Sequence, residues 1–94
     1  MGQASTFRPN KNLMARKLDG EWVFLNLESG VYYGLNETGS LIWDQLASQK
    51  DYKEILQCLE AEFSIDRPIL EKDFNHFLKE IQKEGLARVG SLLP

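Results

Sequence analysis

The chain has 94 residues, 14 acidic and 11 basic side chains, a net charge of −3 and one cysteine. That length supports one domain with a single modest core, and 43% apolar with 27% charged residues describes a folded soluble chain rather than a disordered one. One cysteine excludes an internal disulfide and a cysteine metal cluster, and the acidic balance offers no bulk attraction for phosphate backbones.

No apolar run approaches the ~20 residues of a membrane span. The start, MGQASTFRPNKN, lacks the apolar centre of a signal peptide, so with a single thiol the expected compartment is the reducing cytoplasm, with no membrane partner. Gly2 after Met1, with Ser5 or Thr6 nearby, touches the myristoylation pattern, but that pattern is too short to carry weight. Residues 1–10 are polar, contain Pro9 and read as a flexible arm. Residues 11–94 read as the domain.

A first strand is expected over residues 13–18, though its two faces do not separate clearly. Asp19-Gly20 is the strongest short hairpin signal available to a sequence. EWVFLNLE follows as a second strand, with Val23, Leu25 and Leu27 assigned to the core face and Trp22 and Phe24 to the other. Ser29-Gly30 makes a second turn, and residues 31–35 form a third strand rich in aromatic and β-branched side chains. Two tight turns make an antiparallel meander, whose last strand is left at an edge.

Helical signals then take over. Asn36 is placed to cap a first helix, with Leu41, Ile42 and Leu46 as its apolar stripe. Asp51 and Glu54 make a capping-box arrangement, and Ile55, Leu56, Leu59 and Phe63 recur at helical spacing. Asp66, Arg67 and Pro68 open a third helix. Its face of Leu70, Phe74, Phe77, Leu78 and Ile81 is the clearest periodic signal in the chain. Gly85 is placed to end that helix in a left-handed cap, and LARV reads as a last extended piece. The expected fold class is α+β, winged helix-turn-helix-like, with a three-stranded antiparallel sheet followed by three helices. The expected core is Val23, Leu25, Leu27, Leu35, Ile42, Leu46, Ile55, Leu59, Phe63, Phe74, Leu78 and Ile81.

Catalytic chemistry is sparse. His76 shares a helix face with Asp73 and Glu80, but lysines are mixed among them, and a metal site needs three or four convergent ligands. Cys58 lies beside an apolar face with no base to activate it and reads as a structural thiol. No phosphate loop, nucleophile elbow or dinucleotide fingerprint is present. The chain is therefore read as a non-enzyme without cofactor or metal. A winged-helix DNA-binding protein is the alternative of another class, but Glu71, Asp73, Glu80 and Glu84 on the third helix disfavour phosphate, so no nucleic-acid partner is expected.

What remains is an edge strand with two tyrosines beside an apolar helix. Such an edge can accept one more strand from a peptide. The other reading is that Tyr32 and Tyr33 close the core and the N-terminal arm covers the edge; strand physics does not choose between the two.

The run DGEWVFLNLESGVYYGLNETGSLIWDQL, followed by EILQCLEAEF and DFNHFLKEIQKEGLARV, resembles the PqqD-like family over residues 13–89. Leu35, Asn36, Glu37, Thr38 and Gly39 match the family's strand-to-helix motif. Trp43, Asp73, Phe77, Leu78, Gly85 and Leu86 match further along, while Ile81 stands where leucine is common. The resemblance implies a recognition element for ribosomally made, post-translationally modified peptides. Such an element binds the leader of a precursor and delivers the peptide to a modifying enzyme or leader protease. Its lasso peptide branch is the expectation here; a chaperone of pyrroloquinoline quinone assembly, partnered by a radical enzyme, is the alternative.

In that reading the leader pairs with Val31, Tyr32, Tyr33, Gly34 and Leu35. Its inward side chains meet Leu70, Phe74, Phe77 and Ile81, with Phe77 nearest the groove, while Asp73, Lys79 and Lys83 orient charged leader residues at the rim. Val31→Pro is expected to remove one edge donor.

Overall fold

Asp19 (φ 51°) and Gly20 (φ 83°) both occupy the left-handed region, as a two-residue type I′ hairpin turn requires. This turn folds β2 (Leu13–Leu18) back onto β3 (Glu21–Asn26), with Leu18 opposite Glu21. A second turn, with Gly30 at φ 76°, leads into β4 (Tyr32–Gly34). The sheet order is β2-β3-β4, all antiparallel, and the strands precede the helices in an α+β fold. The structure, a computed structural model, describes residues 7–90. The myristoylation pattern at Gly2, Ser5 and Thr6, and the last four residues of the expected domain, lie outside the described residues.

Three helices follow, the first packed on β3 and the second against the other two. In α1 (Glu37–Ala47) the Asn36 Oδ1 accepts from the Gly39 N–H at 2.8 Å. In α2 (Tyr52–Phe63) Asp51 and Glu54 cap each other reciprocally, at 2.8 and 2.9 Å. The third, α3 (Arg67–Lys83), begins at Asp66 without a side-chain cap bond, although Pro68 lies in its first turn. Gly85 (φ 73°) ends it. There the Leu86 N–H donates to the Ile81 carbonyl at 2.8 Å and the Gly85 N–H to that of Gln82 at 3.1 Å, the two bonds of a Schellman closure. No helix among the described residues is long and apolar enough to cross a membrane.

The core face of β3 is the reverse of the expected one. Phe24 is 1% exposed, whereas Leu27 is 57% exposed in the turn beyond the strand, and Val23 and Leu25 are half-buried on the outer face. Aromatic area decides this. Phe24 lies 4.6 Å from Trp43, which meets Phe7 edge-on at 4.9 Å, and Trp22 stacks on Phe24. The Trp22 indole N–H also finds Asp44 Oδ1 at 2.8 Å, so the half-buried ring leaves no orphaned donor. Phe63 is half-buried; the other expected core residues, Leu35, Ile42, Leu46, Ile55, Leu59, Phe74, Leu78 and Ile81, are buried.

Residues 1–10 read in sequence as an arm, but from Phe7 onward they belong to the fold. Phe7 is 4% exposed, and β1 (Arg8–Pro9) pairs with β5 (Ala87–Arg88) in a two-stranded ribbon. Among the described residues, therefore, the arm lies on β5 and does not cover β4.

Candidate functional site

Among the described residues, strand β4 is the outermost strand on its side of the sheet. Its ladder with β3 passes through the odd-numbered residues. The Asn26 N–H donates to the Val31 carbonyl and the Leu35 N–H to that of Trp22, both at 2.9 Å, while Tyr33 lies opposite Phe24. Because hydrogen-bonded pairs alternate along an antiparallel ladder, Tyr32 and Gly34 turn their N–H and C=O groups to the open side. Val31 does not: its N–H donates to Ser29 Oγ at 3.3 Å. Val31→Pro thus removes no edge donor, and the informative position is Tyr32.

The two tyrosines divide between the faces. Tyr32 is 69% exposed, while Tyr33, half-buried, turns to the helices and its hydroxyl donates to Glu80 Oε2 at 3.1 Å. Burial, then that bond, then the charges of Glu80 and Glu84 raise the Tyr33 pKa above its usual 10.0. This bond ties the edge strand to α3. A second tie lies at the far end of β4, where Leu35 enters the core at 7% exposure. There the ring of half-buried Phe77 comes up against Gly39, in the first turn of α1.

Asp73, Phe77, Glu80 and Glu84 recur at spacings of four, three and four, so they share one flank of α3. That flank reaches β4 through Glu80, which holds Tyr33, and the first turn of α1 through Phe77. Lys79 and Lys83 are exposed; at ~100° per residue Lys79 points away from Phe77, while Lys83 lies one turn beyond Glu80, at the edge of that flank. Leu70, Phe74 and Ile81 do not line the space beside β4, being at most 3% exposed within the core. Of the helix residues expected at the groove, Phe77 and Asp73 share the flank of Glu80, with Lys83 at its edge.

Gly39, Glu80 and Glu84 were not among the expected site residues. A signal existed for each. The two glutamates share the helical phase of Phe77, and a glycine inside a helix, costing ~1 kcal/mol against alanine, flags a close approach.

His76 is exposed, with its Nε2 3.9 Å from Glu80 Oε1; among the described residues no three His, Cys, Asp or Glu side chains converge on a metal position. Cys58 is half-buried on α2. An open cavity of about 760 Å³ lies at the β1–β5 ribbon, bordered by Phe7, Arg8, Lys11 and Arg88 and by no residue of β4.

An antiparallel sheet with a free edge held beside a helix defines a small α+β domain able to accept a strand. The chain belongs to the PqqD family: the family model for coenzyme PQQ synthesis protein D (PqqD) matches residues 21–87. Two solved structures are similar. TbiB1 in complex with the TbiA(beta) leader peptide is 35% identical, with a TM-score of 0.78 over 85% of this chain and 93% of that one. Lasso peptide synthetase B1 complexed with the leader peptide is 27% identical, with a TM-score of 0.80 over 86% of this chain and 95% of that one. No curated protein matches.

Proposed function

We propose that this chain is a non-catalytic recognition element of lasso peptide assembly, acting in the cytoplasm. It binds the leader of a ribosomally made precursor as an added strand on β4 and delivers the peptide to a modifying enzyme or leader protease. The observation that carries this is the open edge of Tyr32 and Gly34, tied to α3 by Tyr33–Glu80, in a chain similar to two proteins solved with leader peptides. Main-chain bonds to the edge supply affinity, and the space between β4 and α3 selects side chains. The acidic flank of α3 speaks against the DNA-binding alternative. The similarity to lasso peptide synthetase B1 favours the lasso branch over quinone assembly.

Titration calorimetry tests this with two probes, the synthetic TbiA(beta) leader and peptides selected on the wild-type chain from a random display library. Micromolar binding or better, ~8 kcal/mol, is expected. Tyr32→Pro deletes an edge donor outside the β3 ladder, so circular dichroism should be unchanged while affinity falls at least about tenfold. Tyr32→Ala separates loss of the ring from loss of the amide. A folded Tyr32→Pro variant that binds like the wild type places the guest elsewhere.

A further inference from the structure

The end of β4, the start of α1 and the middle of α3 meet at one residue without a side chain. A Cβ on Gly39 would lie 3.1 Å from Phe77 Cε1, 3.2 Å from Asn36 Oδ1 and 3.6 Å from Leu35 Cβ. The first two separations are too short to be comfortable, so one neighbour has to move by a few tenths of an ångström. Asn36 Oδ1 is held by the Gly39 N–H itself, at 2.8 Å, and Leu35 is locked in the core. The Phe77 ring, half-buried on the same flank of α3 as the Tyr33-bound Glu80, is the neighbour with room to give.

We propose that Gly39 is a positioning residue for the peptide groove: by lacking a side chain it lets the Phe77 ring seat against α1, and so keeps open the space beside β4 that an inward-facing guest side chain enters. This rests on the strand-addition reading above. A Cβ at position 39 drives the ring edge outward, into the path of the guest. The empty protein barely registers the change, because alanine is the better helix former and offsets the crowding. Gly39 therefore sets the width of the groove, and Phe77 carries the effect.

Gly39→Ala should keep the wild-type melting temperature within a few degrees yet bind the selected peptide about five- to tenfold more weakly. In the Phe77→Leu background the colliding ring atom is gone, so adding Gly39→Ala should change affinity less than twofold; the double-mutant cycle isolates the pair. Equal binding by Gly39→Ala and wild type overturns the proposal, as does an equal loss in the Phe77→Leu background. A fall in melting temperature that tracks the loss of binding also overturns it, since the glycine then serves packing alone. If the wild-type chain binds neither probe, the peptide reading itself fails; the three other outcomes leave that reading standing.

Discussion

Tyr33 reports on the joint between the sheet and α3, and its proton makes that joint sensitive to alkali. The unfolded phenol ionises near its usual 10.0, whereas burial, the Glu80 bond and the charges of Glu80 and Glu84 raise the folded value. A raised folded pKa contributes stability that is complete below the unfolded pKa and is lost as pH rises through the folded one. Urea midpoints should therefore be flat from pH 8 to 9 and fall above pH ~10. Tyr52 is raised as well, chiefly by burial, so Tyr33→Phe should make the alkaline fall shallower without abolishing it. Tyr33 was visible in the sequence as an edge residue. Its partner was not, because Glu80 lies 47 positions away on a helix face that reads as solvated.

Among the elements, the helices were legible and β3 was not. The stripe of α3 is one-sided, so a period near 3.6 identifies its buried face, and Leu70, Phe74, Leu78 and Ile81 lie there. The caps at Asn36 and Asp51 and the close at Gly85 follow from local chemistry alone. In β3 both faces are apolar, and a period of two cannot say which turns inward; the aromatic contacts of Trp43 settle it from elsewhere in the chain. Phe24→Ala should cost about 3–5 kcal/mol and Leu27→Ala under about 0.5 kcal/mol, as for an exposed side chain. The assignment made from sequence requires the opposite order, and urea unfolding of the two variants decides it. The edge of β4 was legible as an edge, but which residues face outward was not, since that depends on the register with β3 set by the Asn26–Val31 and Trp22–Leu35 bonds.

For the molecule as a whole, the ribbon of β1 and β5 matters more than its two residue pairs suggest. It seats Phe7 on Trp43 and is reinforced where the Asn10 N–H donates to the Leu86 carbonyl at 2.8 Å. Phe7 is a lone aromatic among polar neighbours, so no periodicity announces it. Phe7→Ala should lower stability by about 3 kcal/mol, seen as a drop of more than about 10 °C in melting temperature for a domain of this size; a loosely tethered arm predicts no change. The antiparallel register, Arg8 with Arg88 and Pro9 with Ala87, also has a mechanical meaning. The described chain enters and leaves the ribbon on the same side, so tension applied across its ends falls on one pair at a time, as in a zipper. The ribbon is thus the weak seam of the molecule under load. It parts first and draws Phe7 off Trp43, while the longer β2–β3 ladder and its edge at β4 still hold.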